Sequence, residues 1–539
     1  MGRGMPRPYF LFASPASVFP SAEPATFTNW SPMLYGRGMP RPKAAVPFFR
    51  RNSFLYQWVA ACRSQTISSL SQSPSQLYAP KKCSTFGGLN QSQQNMEFLL
   101  HYVWKHHLYP SDHFVSDRGE TVEVIDVGVH NLLHAGPDFF NAKFRLAGMV
   151  WAGNVEIHLK SSDWYRHHHD QDPAYNNVVL HVVAEVDGEV RTQDGKSIPQ
   201  IVVPIPPQLR ANYEELIAEE TYPPCYRVIP DVPSLIVHQW MSRLTIERLE
   251  AKTVRIQRYL DQTGGDWERA FFITLARNFG FGTNADAFEQ WALTIEPSQV
   301  GKHRDNPFQV EAFFMGQAGL LETDAWKEEQ QDDYFKRLRA EYAFLKNKFD
   351  LKPVDRKIWK FGRMRPQNFP TVRLSQLTQL YVERRVDLSR LLETTDAKAL
   401  RALFRVRATP YWQTHYAFGE VHEPTDKVLQ TASLNLLLIN SVVPLFFAYG
   451  RSRKDEALAE CALQLLENLP AERNYITRCW ERAGIRVSHA ADSQALIQLR
   501  QHYCDRKDCL RCRFGSEYLR RKGQTGEVGE ESPVISLND

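Results

Sequence analysis

In the stretch GNVEIHLK the polar residues Asn154, Glu156, His158 and Lys160 alternate with Val155, Ile157 and Leu159. That alternation predicts a strand with one apolar face and one face carrying an acid, an imidazole and an ammonium. Asp138 follows the turn residues Gly136 and Pro137, at the start of the preceding apolar segment. If the two segments pair as strands, the carboxylates and the imidazole converge. Such a group can hold a divalent cation, Mg²⁺ or Mn²⁺. The ion lowers the pKa of a water and polarises a phosphoryl oxygen, and Lys160 would stabilise developing charge or orient the nucleophile. In isolation the same pattern also describes a solvated sheet face, and Pro-Asp is a common turn dipeptide.

The surrounding elements must place these strands side by side. Met96 to His107 reads as an amphipathic helix with Phe98, Leu99, Tyr102 and Val103 on one face. Thr121 to Asn131 reads as a strand, Phe139 to Gly148 as a second and Met149 to Lys160 as a third, with a tight turn at Ala147–Gly148. SDWYRHHHDQDPAYNN reads as a short helix or irregular segment that Ser162 or Asp163 could cap. Val178 to Val186 reads as a buried fourth strand, followed by a hairpin at Asp187–Gly188 and the apolar IPQIVVPIP.

This order of helix, three strands, helix and strand, with Pro137-Asp138 and the strand ending in Lys160, resembles the PD-(D/E)XK nuclease superfamily. There a Pro-Asp at one strand start is followed by acid-X-lysine on the next strand. The resemblance implies an α+β fold with an α-β-β-β-α-β core. It implies a metal-dependent phosphodiesterase acting on DNA or RNA, with catalytic residues Asp138, Glu156, His158 and Lys160. Asp138 and Glu156, with or without His158, would hold Mg²⁺ or Mn²⁺. The pattern departs at His158, which stands where the acid is expected; either it replaces that acid or Glu156 takes the role. Inactive relatives show such changes too. The competing reading is therefore a catalytically inactive, nuclease-like nucleic-acid-binding or scaffold protein, and a hydrolase of another phosphate or small-molecule substrate is a third. The superfamily often has a further acid on the first helix, where Glu97 stands. The segment after the catalytic strand lines the cleft in this superfamily, which marks Asp163, His167, His168, His169, Asp170 and Tyr175. Three adjacent histidines cannot all face one way. His181, on the fourth strand, reads as a satisfied core histidine.

Beyond Pro224 the texture is helical, with glycine turns between apolar segments. KIWKFGRMRPQNFPTVRL interleaves Lys357, Lys360, Arg363, Arg365 and Arg373 with Trp359, Phe361 and Phe369. Cations among aromatics suit a phosphate backbone with stacked bases, so Lys360, Arg363, Arg365 and Arg373 are nucleic-acid-binding candidates. The same residues also fit a loop whose arginines bond inside the fold. Near the end, Cys504, Cys509 and Cys512 have the spacing C-x4-C-x2-C in a basic setting. That spacing suits a structural zinc site; the resemblance to the nuclease superfamily, some members of which carry an iron–sulfur cluster on a carboxy-terminal cysteine group, implies such a cluster as an alternative, and reduced thiols in a compact turn are the third reading. Cys225, Cys461, Cys479 or His502 could supply a fourth ligand.

With 539 residues, a net charge of +4 and eight cysteines, the chain is long enough for several cores and has no whole-protein basic field. The sparse cysteines do not form a secreted disulfide pattern, which predicts a reducing cytoplasm. The apolar run Leu434 to Gly450 contains Asn440, Ser441 and Pro444 and reads as a buried helix ending or kinking at the proline, not a membrane span. Residues 1–95, rich in Ser, Pro and Gly and holding GRGMPRP twice, read as a disordered leader or a start assigned too far upstream. The expected organisation is an α+β domain at 96–224, a mostly α-helical domain at 225–500 and a cysteine-bearing tail at 501–539. From Met96 to about Leu519 the chain also resembles a bacterial family known only as a domain of unknown function. MEFLLHYVWK, HAGPDFFNAKF, GNVEIHLKSSDW, YNNVVLHVV, RMRPQNFPTVRL, NSVVPLFFAYG and the cysteine tail carry that resemblance, which implies a bacterial cytoplasmic protein and supplies no activity.

Overall fold

A computed structural model describes residues 91–132, 135–383 and 387–521. Of the expected leader, only Gln91–Asn95 fall within them, and these open helix α1 (Gln91–Lys105), predicted to begin at Met96. The added turn is polar and has no apolar period to announce it. Leu99, Leu100, Tyr102, Val103 and Trp104 are buried, whereas Phe98, expected on their face, is exposed.

One mixed sheet follows. Its strands are β1 (His113–Val115), β2 (Thr121–Asp126), β3 (Val129–His130), β4 (Phe139–Leu146), β5 (Met149–Lys160), β6 (Val178–Glu185) and β7 (Gln200–Val202). The order is β1-β2-β4-β5-β6-β7, with β3 beside β4. β4 and β5 are antiparallel and are joined through Ala147 and Gly148, with φ of 49° and 82°. Two successive positive φ values belong to the turn that matches strand twist. β6 runs parallel to β5, and β7 parallel to β6.

The predicted strand 121–131 is broken by a bulge after Val124 and by Gly128, whose φ is +86°. A Cβ there would lie 2.6 Å from the Phe140 carbonyl oxygen, so the backbones approach too closely for any side chain. The hairpin expected at Asp187–Gly188 does not join β6 to β7. The chain instead makes an excursion through an Arg191–Ser197 bridge and returns parallel to β6. Ser116, just after β1, bridges Ile201, and the Asp117 N–H donates to the Gln200 carbonyl at 2.9 Å, so the two edges of the sheet meet.

α1 packs its apolar face on Phe139, Phe144, Val155 and Ile157. That core does not stop at residue 224. It continues through α3 (Pro207–Ala218) into Trp240 and Leu244 of α4 (Ser234–Gln262), and into Phe514 and Tyr518 of the tail. Tyr102 Oη bonds Ser516 Oγ at 2.8 Å, and Asn212 Nδ2 donates to the Leu519 carbonyl at 3.0 Å. The tail therefore belongs to the same compact unit as the sheet.

The remainder is helical. Several helices start at Asp side chains that accept an N-terminal N–H, as Asp266, Asp332 and Asp455 do. The apolar run around Pro444 lies in one continuous helical stretch, Thr431–Arg453, with a π turn at Leu438–Val442 just before the proline. The wider turn removes the clash between the proline ring and the carbonyl one turn back. Among the described residues it is the one helix long and apolar enough to cross a membrane, and 72% of its apolar window is buried inside the fold.

Candidate functional site

From Asn154 to His158, β5 is buried on both faces. Val155 and Ile157 enter the core beneath α1, while Glu156 and His158 point the other way and are still only 5% and 1% exposed. Their cover is the segment after β5, comprising α2 (Asp163–Arg166) and the 3-10 turns His169–Gln171 and Pro173–Tyr175. Trp164, Tyr175, Val178, Val190 and Ile198 form a small core of their own that holds this cover down. The polar face is therefore not a solvated sheet surface.

Strand pairing brings the two acids together. The Asp138 N–H donates to Glu156 Oε2 at 3.0 Å, and the Ile157 N–H donates to Asp138 Oδ2 at 3.1 Å. Asn131 fixes the turn that presents Asp138, donating its own N–H to the Asp138 carbonyl at 2.7 Å and its amide to the Pro137 carbonyl at 3.0 Å. Glu156 Oε1 lies 3.2 Å from His169 Nε2 and 3.7 Å from His158 Nε2. His167 Nδ1 is 3.0 Å from His158 Nε2. One nitrogen from each of His158, His167 and His169 falls within 4.8 Å of the others. Of the three adjacent histidines, His167 and His169 turn inward, whereas His168, with φ of 60°, is exposed. Tyr175 stacks on His169 at 3.8 Å and sets its ring plane.

α1 contributes Glu97 and His101, four residues apart and so on one helix face. His101 Nε2 is 3.5 Å from Asp138 Oδ2. Glu97 is 4% exposed, and its Oε2 has no hydrogen-bond partner. Burial first, then the charges of Asp138 and Asp163, push its pKa up to about 8. Asp163 is also buried; it accepts the Lys160 N–H at 3.2 Å and pairs with Arg166. Glu97, Asp138, Glu156 and Asp163 thus crowd negative charge into a buried space. Glu97, buried among them with an unbonded Oε2, keeps a proton or takes a cation.

The far side of the site fixes the histidine tautomers. Gln200 Nε2 donates to the Gly188 carbonyl at 2.8 Å and to Asp117 Oδ2 at 3.3 Å, so its Oε1 faces His181 Nδ1 at 3.2 Å. An amide oxygen only accepts, so His181 carries its proton on Nδ1. Burial pushes the His181 pKa down to about 4, which keeps the ring neutral and leaves Nε2 as an acceptor. His158 Nδ1, 2.9 Å away, must then donate to it. Burial, reinforced by neighbouring histidines, also holds His158 well below the usual imidazole range. Its Nε2 lone pair is therefore turned toward Glu156, His167 and His169, which is the state in which an imidazole ligates a metal. His181 is a satisfied core histidine, as expected, and it also sets the tautomer of His158.

Lys160 stands apart from this group. Its side chain is half-exposed, and its ammonium pairs with Glu185 of β6 at 2.9 Å. That hydrogen bond raises its pKa. β5 emerges from its cover at this point, so the periodicity that places Lys160 on the polar face does not turn its ammonium to the acids. The basic segment also resolves differently from its pattern. Trp359 is buried and donates Nε1 to the Ala318 carbonyl at 2.7 Å, and Phe361 packs edge-on against Phe369. Arg373, in α5 (Pro370–Val382), is not a surface cation. It is 5% exposed, bonds Gln376 and Asn368, and lies over the Phe281 ring at 4.4 Å; burial pushes its pKa down to about 10. Lys360, Arg363 and Arg365 are exposed. The interleaving of cations and aromatics is thus largely an alternation of core and surface.

Cys504, Cys509 and Cys512 line one small cavity together with Cys225; Cys461, Cys479 and His502 do not line it.

Asn131, His101 and Gln200 were missed. The four-residue spacing of Glu97 and His101 could have flagged the latter; nothing near Gln200 in the chain marks it.

Residues 97–475 match the family model described as a protein of unknown function (DUF2851), and the chain belongs to that family. The match ends before the cysteine tail. No curated protein and no solved structure matches.

Proposed function

We propose that this member of the family is a metal-dependent phosphodiesterase, a nuclease cutting DNA or RNA, with its reaction centre on the covered polar face of β5. The observation that carries this reading is the interlocked Asp138–Glu156 pair, joined by Glu97 from the first helix and by His158 and His169. The setting supports it. A helix precedes an antiparallel run of strands, and a short helical cover leads to a strand parallel to β5, an order similar to that of the PD-(D/E)XK superfamily. The mixture of carboxylate oxygens and imidazole nitrogens favours Mn²⁺ over Mg²⁺, which prefers oxygen. When bound, such a cation would polarise a phosphoryl oxygen and lower the pKa of a water.

The protein groups then have separate tasks. Asp138 and Glu156 hold the cation, each already fixed by a backbone N–H from the other's strand. His158 presents a lone pair because Gln200 and His181 set its tautomer, and His169 is oriented by Tyr175. Glu97, with a pKa near 8, can hold or release a proton at neutral pH. Lys360, Arg363 and Arg365 would supply exposed cations for the substrate backbone.

The pairing of Lys160 with Glu185 favours the second reading, an inactive nuclease-like binding protein. The test incubates purified protein with plasmid, single-stranded DNA and RNA in Mn²⁺ or Mg²⁺, beside Asp138→Ala and Glu156→Ala. Metal-dependent cleavage that both variants lose is the expected result. Binding without cleavage under either ion would replace the first reading with the second.

A further inference from the structure

We infer that Cys225, Cys504, Cys509 and Cys512 form the thiolate cage of an iron–sulfur cluster, separate from the acid–histidine site. The four side chains line one small cavity, walled also by Trp480 and Tyr503. They arrive from two distant parts of the chain. Cys225 precedes the 3-10 turn Tyr226–Asp231. Cys504 closes the π turn Arg500–Cys504, Cys509 opens a 3-10 turn, and Cys512 is the N-cap of α6 (Arg513–Arg520).

Packing alone does not explain this convergence. The thiols form no disulfide. Cys225, Cys509 and Cys512 are buried, and Cys504 is partly so. Without a ligand they are weakly bonding thiol groups facing one another, where aliphatic side chains would fill the space better. A metal changes this, because coordination takes the proton off each sulfur and gives the charge a partner.

Two local features suit sulfur ligands. The backbone N–H groups of Gly515 and Phe514 bond to the Cys512 sulfur and oppose the effect of burial. N–H groups in the first turn of a helix are donors without intrahelical partners, well placed to stabilise a thiolate. Gly515 is also required sterically: a Cβ there would lie 2.1 Å from the Cys509 carbonyl oxygen. The helix start is thus pressed directly against the cysteine turn.

Spacing selects the kind of centre. A single zinc with bonds of about 2.3 Å would draw its four sulfurs to about 3.8 Å from one another. Among the described residues, His158, His167 and His169 bring three donor atoms mutually within 4.8 Å, and no three of these sulfurs do so. A cluster of several irons holds its thiolates farther apart. Its place in the fold gives it a structural task. It would tie the tail to the chain just beyond α3, where both pack beneath α1.

The test uses the full chain, purified without oxygen, and reads iron, acid-labile sulfide, zinc and the visible spectrum. None of these depends on cleavage, so the outcome is independent of the proposed nuclease activity. About four irons and four sulfides per chain are expected, with a broad visible band. Cys225→Ser should lose this content as completely as Cys509→Ser, while Cys461→Ser and Cys479→Ser keep it. Because Cys225→Ser could also impair folding, the wild-type band is bleached with chelator and oxidant, and a lower melting temperature is expected to accompany the loss. Stoichiometric zinc without sulfide, a protein that takes up no iron on reconstitution, or a full cluster in Cys225→Ser would each overturn the inference.

Discussion

The polar face of β5 and the cysteine cavity are both lined with metal-ligating side chains, but they are organised in opposite ways. On β5 the donors hold one another. Asp138 and Glu156 exchange contacts across two strands, His158 is linked to Gln200 through His181, and His169 leans on Tyr175. In the cysteine cavity, positions come from the backbone of turns and a helix start, inside an otherwise apolar core. The difference follows from the donors. Carboxylates and imidazoles are costly to bury without partners, whereas thiols are not. A site of the first kind is ordered before any ion arrives. A site of the second kind leaves its stabilisation to the ligand, so losing its ligand should weaken the fold.

The widest expected separation is between Asp138→Ala and the cysteine variants. Asp138→Ala should lower cleavage by at least about 10³-fold, roughly 4 kcal/mol of transition-state stabilisation, and leave iron and sulfide content unchanged. If iron falls with it, the two regions are one functional unit. Cys512→Ser should behave conversely, reducing stability in urea by on the order of 3 kcal/mol while Mn²⁺ titration at the β5 site is unaltered. Next is Gln200→Leu, which touches no ligand of the proposed cation. It frees the His181 tautomer and should weaken Mn²⁺ binding by about 10- to 100-fold; an unchanged affinity would mean the relay does not orient His158.

Glu97→Gln tests the acid crowding by pH. The folded pKa of about 8 lies above the ordinary carboxyl value of 4.5. Between those values the folded protein retains a proton that the unfolded chain releases, so stability falls as pH rises through that window. With chelator present, the glutamine variant should be more stable by about 1–2 kcal/mol at high pH and show little difference near the bottom of the window. Parallel curves for the two proteins would show that Glu97 is not under that strain. Lys160→Met is expected to matter least, changing cleavage by no more than about threefold, as befits a half-exposed ion pair. A much larger loss would mean that the ammonium leaves Glu185 and reaches the acids when substrate binds.

The turn at Ala147–Gly148, the strand from Met149 to Lys160 and the helical character of the later chain were all legible because each is written in neighbouring residues. The approach of Asp138 to Glu156 was legible only in part, because the turn sets the pairing of β4 with β5 near it, whereas a register shift between Phe139 and Ala142 decides which residue of β5 Asp138 meets. The same local reasoning went astray wherever a distant segment decides the outcome. A parallel return to β6 replaced the hairpin at Asp187–Gly188, Phe281, Asn368 and Gln376 enclosed Arg373, and Glu185 engaged Lys160. Nor does local pattern reveal that the sheet, α4 and α6 bury one another's apolar faces, so that one core runs across residues 224 and 500.

What the sequence alone determined is which faces alternate and which residue types could do chemistry: the acid and imidazole on β5, the Pro-Asp turn before β4, and three cysteines at ligand spacing. What only the tertiary structure decided is which partners complete them. The cover over β5, the Gln200–His181 relay and the arrival of Cys225 beside the tail cysteines join residues far apart in the chain. Periodicity records which way a side chain points relative to its own backbone. It carries no information about what the rest of the chain brings to meet it.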